Sequence, residues 1–145
     1  MNKFIILLSI VLIPFLTSCR KTGCTDEDSV HFKKDIKSDN SQCLYEGSLV
    51  FWYNKEVSDF LQVNDVYKLN FYLDNEIVGS LSTEHYRETE PDCNDYYNAV
   101  KTTKKMGDLK TLDYQFSVKT PDSIEIWRTS IIVNANTCST LQLGL

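Results

Sequence analysis

Glycine and proline are scarce in this chain, five and three among 145 residues. The glycines stand singly at Gly23, Gly47, Gly79, Gly107 and Gly144. That excludes the glycine-rich loops that bring backbone amides up to a phosphate, and the G-x-S-x-G elbow of serine hydrolases. Histidine is scarcer still. His31 and His85 are isolated, too few for a histidine-rich zinc site, and no C-x-x-C pair offers thiolates at metal-ligand spacing. Positive charge is in deficit, with 15 Lys and Arg against 20 Asp and Glu. Polyanions recruit lysine and arginine, so the balance argues against nucleic acid or an anionic bilayer surface as a partner. No internal repeat is visible.

One long apolar run is present, and it opens the chain. Phe4 to Phe15 follows a Met1-Asn2-Lys3 head with one positive charge, the layout of a secretory signal peptide. A membrane-spanning helix needs ~20 consecutive apolar residues. This run is shorter, contains Ser9 and Pro14, and stops at small polar residues. Its ending, Leu16-Thr17-Ser18-Cys19, resembles the lipobox of bacterial lipoproteins, whose cysteine receives a diacylglycerol thioether, becomes the mature N-terminus and is N-acylated. The resemblance implies a lipoprotein signal peptide over residues 1–18, lipidation (palmitate among the acyl chains) at Cys19, the membrane as a partner through that residue, and an outer-membrane location. A plain secretory signal is the second reading. Each buried methylene contributes ~0.8 kcal/mol, so one acyl chain holds marginally and two or more hold stably.

With Cys19 assigned to lipid, four cysteines remain, Cys24, Cys43, Cys93 and Cys138. An exported chain meets oxidising conditions, so two disulfides are expected. Four cysteines permit three pairings. Cys24 with Cys43 and Cys93 with Cys138 is preferred, the first pinning a polar N-terminal segment and the second tying a long loop to the last strand. Each closure would contribute ~3 to 4 kcal/mol by the chain-entropy estimate.

Tyr, Phe, Val, Ile and Thr are abundant, which favours strands. Residues 19–42 are polar, without apolar periodicity, and are expected to be a lipidated polar tether between membrane and domain. From Gly47 the texture changes. Ser48-Leu49-Val50-Phe51-Trp52-Tyr53 is a β-rich run with large residues on both faces. Asn54 to Asp65 reads as a connection, in which Val57, Phe60 and Leu61 allow one short helical turn. Tyr67 to Leu73 alternates at period two, and Asp74-Asn75 turns it into Ile77–Leu81 as a hairpin. Ser82 to Asn98 is a long polar loop. A strand from about Ala99, the alternating Leu112–Val118, one or two strands over Ile124–Val133, and a last strand over Thr137–Leu143 follow. About seven strands without helical crossovers predict an all-β fold, a single antiparallel β-sandwich of Greek-key type, Ig-like or prealbumin-like, over residues 43–145.

The stretch from Gly47 to Leu143 resembles the short β-sandwich lipoproteins of Bacteroidota, which in turn resemble PEGA and carboxypeptidase-regulatory-like modules. The residues carrying this are Gly47, Leu49, Phe51 and Trp52, the hairpin Leu73-Asp74-Asn75-Glu76-Ile77-Val78-Gly79-Ser80-Leu81, and Trp127, Ile131 and Val133 closing on Asn136, Cys138, Leu141 and Leu143. The resemblance implies a module that presents, supports or binds, with no catalytic residues to transfer. Asp28-Ser29-Val30 and Asp122-Ser123-Ile124 resemble the O-glycosylation signal of the same bacteria, which would place glycans on Ser29 and Ser123. Asp26-Glu27-Asp28 resembles a surface-export signal, set against a solvated linker.

The densest candidate chemistry is the segment Glu84 to Asp95. Its oxygen donors suit calcium, yet their spacing misses the D-x-D-x-D-G loop. A Cys/His nucleophile would need a thiol that disulfide formation removes. Neither an enzyme nor a cofactor is expected. The expected function is a lipid-anchored, non-enzymatic interaction or accessory module of the cell envelope, with an envelope protein or glycan as partner. The alternatives are an envelope-enzyme inhibitor using the Ser82–Asn98 loop and a small ligand-binding or carbohydrate-binding β domain. Phe51 and Trp127 are expected in the core, and Tyr96 and Tyr97 on the surface.

Overall fold

The computed structural model describes Lys21–Gly144. The expected signal peptide over residues 1–18 and the expected lipidation residue Cys19 lie outside the described residues.

Two short strands come first, β1 (Thr22–Gly23) and β2 (Lys37–Ser38), followed by a 3-10 turn at Asn40–Gln42. The sandwich strands are β3 (Tyr45–Trp52), β4 (Lys68–Leu73), β5 (Glu76–Ser82), β6 (Val100–Gly107), β7 (Thr111–Lys119), β8 (Glu125–Asn134) and β9 (Cys138–Gln142), with a helix, α1 (Lys55–Val63), between β3 and β4. They form an all-β sandwich of a three-stranded sheet, β6-β3-β9, on a four-stranded sheet, β5-β4-β7-β8. Among the described residues every pairing in the sandwich is antiparallel but one. β9 runs parallel to β3, with Ser48 opposite Cys138 and Trp52 opposite Gln142. Parallel neighbours need a long return path, and here nearly the whole domain lies between them.

The inner faces follow the alternation of the strands. Leu49 and Phe51 from β3, Leu69, Phe71 and Leu73 from β4, and Phe116 and Val118 from β7 are all buried. Phe51 stacks on Phe116 with ring centroids 4.4 Å apart and on Phe71 at 5.9 Å, so three rings bridge the two sheets. Phe51 is thus a core residue as expected. Trp127 is only half-buried, on the margin of the core, and its indole Nε1 donates to the Gly144 carbonyl at 2.6 Å.

Two glycines set how closely the sheets approach. A Cβ on Gly47 would lie 2.4 Å from the Asn134 carbonyl oxygen, and one on Gly79 would lie 2.4 Å from Val100 Cγ1. The β4–β5 hairpin turns on Asp74 and Asn75, both at positive φ (48° and 67°), a type I′ geometry that Asp and Asn tolerate in place of glycine. Asp74 is held there because its carboxylate accepts from the Gln115 backbone amide at 2.8 Å.

The connection after β3 is a full helix rather than a loop or a single turn. Asn54 Oδ1 accepts from the Val57 amide at 3.1 Å and caps it. Val57 and Leu61, one turn apart, enter the core, and buried Ser58 donates to the Thr83 carbonyl.

The stretch expected as a polar tether over residues 19–42 is folded from Lys21 onward. The amide of Lys37 donates to the Lys21 carbonyl, that of Asp39 to Gly23, and that of Lys33 to Cys24. Cys24 and Cys43, both buried, form the first disulfide. A segment without apolar periodicity folds here because a crosslink and backbone hydrogen bonds replace a hydrophobic face.

Candidate functional site

The loop Thr83–Ala99 crosses the outer face of the three-stranded sheet. β3 has large residues on both faces, and its outward pair, Val50 and Trp52, is as buried as the inward one. The loop is what covers this side. Its fixings are spread along its length. The Arg87 amide donates to the Tyr53 carbonyl at 3.0 Å, the Glu90 carboxylate accepts from the Thr140 hydroxyl, the Cys93–Cys138 disulfide ties it to the start of β9, and the Lys101 ammonium donates to the Cys93 carbonyl at 2.6 Å. Pro91 is buried within it. The two disulfides thus realise the preferred pairing of the four cysteines.

Within the loop, three of the acidic residues whose oxygens suit calcium, Glu90, Asp92 and Asp95, are engaged in holding its shape. Asp92 Oδ1 accepts from the amides of Asn94 and Asp95 at 2.6 and 2.8 Å, and the two amides hold its carboxyl below the usual carboxylate range. Asp95 pairs with Arg87 at 3.2 Å, and the same guanidinium donates to the Tyr97 carbonyl at 2.7 Å. Among the described residues no group of three or more His, Cys, Asp and Glu converges on a point where a metal would sit. His31 and His85 are both exposed, and His31 Nδ1 lies 3.3 Å from the Gln42 carbonyl.

The fixings leave Tyr96 and Tyr97 outward, 47% and 77% exposed, on the loop where surface aromatics were expected. Lys101 sits over the Tyr96 ring at 5.2 Å and fixes one side of it. The chemistry on offer is a preorganised aromatic contact surface. Its backbone is already ordered, so binding through it would not have to order the loop first.

The candidate modification sites part company. Ser29 is buried, and its hydroxyl donates to the Leu44 carbonyl at 2.9 Å while accepting from the amides of His31 and Leu44. Ser123 is exposed at positive φ in the Thr120–Ile124 turn. Asp26 and Asp28, expected in a solvated linker, grip Lys110 at 2.7 and 2.9 Å. Asp26 also accepts from the buried Tyr45 hydroxyl at 2.9 Å. These partners hold the Asp26 carboxyl low and push Lys110 up. Sequence reasoning missed this tie because its two ends are more than eighty positions apart. Among the described residues, no helix is long and apolar enough to cross a membrane.

No protein-family model, no curated protein and no solved structure matches this chain.

Proposed function

We propose that this chain is a lipid-anchored cell-envelope lipoprotein whose sandwich serves as a non-enzymatic interaction or accessory module at the outer membrane. One arrangement carries the reading. A lipid-attachment motif ending at Cys19 precedes a twice-crosslinked sandwich, and the longest loop of that sandwich is stapled down with Tyr96 and Tyr97 left outward. Disulfides suit an exported chain. Tyrosine supplies contact area at low conformational cost, which suits a partner-binding surface. Glu90, Asp92 and Asp95 of the loop and Asp26 and Asp28 of the cap are engaged in holding those segments in place, which fits a module without chemistry of its own. A glycan on Ser123 is compatible with its exposure, whereas one on Ser29 would have to displace three hydrogen bonds.

The inhibitor reading is the second, favoured by the same stapled loop, since a rigid exposed loop is the form in which an inhibitor enters an enzyme cleft. A ligand-binding barrel is set aside, because the sheets form a sandwich whose interior is filled by the three stacked phenylalanines.

Growth with a labelled palmitate analogue tests the anchor. The wild-type chain takes up label and fractionates with membranes, and Cys19→Ala does neither; an unlabelled wild type sinks the reading. Crosslinking and capture from native membranes with wild type and a Tyr96→Ala/Tyr97→Ala variant tests the surface. Loss of the captured protein in the variant supports it, and identical capture by both removes the loop from the proposal.

A further inference from the structure

A second exposed surface lies at the other end of β3, on the N-terminal cap. Val30, Phe32 and Leu44 are 51%, 40% and 41% exposed, three apolar side chains on one small folded unit. They are held together. The Val30 amide donates to the Leu44 carbonyl at 2.9 Å, the Phe32 amide donates to the Ser29 carbonyl, and the Cys24–Cys43 disulfide ties the two stretches beneath them. Two shallow clefts of ~310 and ~420 Å³ flank the patch, lined in part by Val30, His31 and Phe32 in the first and by Val30, Leu44 and Lys105 in the second.

The patch is placed by the chain that leads to it. Lys21 is fixed by the Lys37 amide, and it stands two positions after the lipid-attachment residue. Two residues span at most ~7 Å. A lipid on Cys19 therefore has no long leash, and the cap must sit against the headgroups.

The acidity of the chain as a whole is not carried by the cap. The chain carries −5 overall, yet Lys21, Lys33, Lys34 and Lys37 are exposed around this cap. With Lys110, which bridges Asp26 and Asp28, these lysines make five cations against the five acids Asp26, Glu27, Asp28, Asp35 and Asp39, so the cap is balanced in charge. Lys33 lines the first cleft and Lys105 the second, and exposed apolar side chains flanked by long lysine stems suit the interface of a phospholipid bilayer.

Resting on the lipid-anchor reading, we infer that the Val30–Phe32–Leu44 face of the disulfide-bound cap docks on the bilayer beside the acylated Cys19, holding the sandwich end-on with α1 and its far end away from the membrane. β3 alone rises ~25 Å from this cap toward α1. The bilayer is the occupant because the anchor brings it there. A second copy of this chain is an outcome of the test.

Acylated full-length protein in phosphatidylethanolamine and phosphatidylglycerol vesicles doped with brominated phosphatidylcholine tests the inference. Phe32→Trp reports from the patch, and Val63→Trp, at a position 83% exposed on α1, serves as control. The emission of each introduced indole is read as the difference from wild type. Seating predicts a blue shift and loss of more than half of that difference emission for Phe32→Trp, with Val63→Trp unchanged. Equal, weak quenching in both variants, in protein whose mass shows the acyl chains, overturns the docking while leaving the anchor intact. A blue shift of Phe32→Trp that comes without quenching by the brominated lipid and depends on protein concentration assigns the face to a second copy and also overturns it. A mass lacking acyl chains removes the anchor reading, and the docking with it.

Discussion

Single atoms decide how the two sheets meet. Gly47 and Gly79 both occupy close approaches, but against different obstacles. The Cβ added by Gly79→Ala would strike the Val100 side chain, whereas that added by Gly47→Ala would strike the Asn134 backbone oxygen and Val133. Overpacking of this kind costs ~1–3 kcal/mol. Urea denaturation is expected to show both variants destabilised, with Val100→Ala restoring part of the loss to Gly79→Ala and none to Gly47→Ala. A second residue-scale effect is electrostatic. Asp26 is held below its ordinary value of 3.8 by Lys110, the Asp28 amide and Tyr45. A lowered carboxyl stabilises the fold above its unfolded-state value and loses that contribution as pH falls through the folded-state one. Stability should therefore drop below about pH 4, and Asp26→Asn should flatten that part of the curve, as read by thermal melts at successive pH values. At the alkaline end the sign reverses, because Lys110 is raised by the same pair and burial raises the Tyr53 phenol. Both contributions are present below the unfolded values of these groups and are lost as pH climbs past them.

At the scale of elements, the loop Thr83–Ala99 behaves as a third layer. It contributes no strand, yet it covers Val50 and Trp52 on the outside of the three-stranded sheet. The Cys93–Cys138 crosslink closes a separation of 45 residues. Removing it by Cys93→Ser/Cys138→Ser should cost ~2–5 kcal/mol and open the loop before the sandwich. Limited proteolysis would then cut within Thr83–Ala99 first, while wild type resists. If the double variant is cut no faster there than wild type, the other fixings hold the loop unaided. The N-terminal cap is the complementary case, a polar segment that folds because Cys24–Cys43 and the Ser29 and Asp39 hydrogen bonds hold it. α1 also belongs to this scale. The spacing of Val57 and Leu61 is visible in the sequence, but the length of the helix depends on the Asn54 cap and on the Ser58 hydrogen bond to Thr83, a partner found 25 residues away.

The molecule as a whole is one core between two sheets, with its first and last sandwich strands side by side. The three stacked phenylalanines sit at its centre. Phe51→Ala is expected to cost ~3–5 kcal/mol, and because β3 joins both partners of its sheet, secondary and tertiary signals should be lost together in denaturant. Separate transitions for far-ultraviolet and near-ultraviolet dichroism would show instead that the sheets unfold independently.

Local pattern was enough for the strands, because period-two alternation in Tyr67–Leu73 and Leu112–Val118 depends only on which side of a strand faces the core. It was enough for the hairpin at Asp74-Asn75, and the parity of the cysteines indicated crosslinks. It also placed Tyr96 and Tyr97 on the surface, and the L-T-S-C motif at Cys19 rests on sequence alone. The parallel pairing of β9 with β3, the Lys110 tie to Asp26 and Asp28, the burial of Ser29 and the folding of the expected tether were decided only in three dimensions. Each of these depends on partners distant along the chain or on a crosslink in place of periodicity, and one-dimensional pattern carries neither. The exposed face of Val30, Phe32 and Leu44 arises in the same way, from residues that look unremarkable in a polar stretch until a disulfide gathers them.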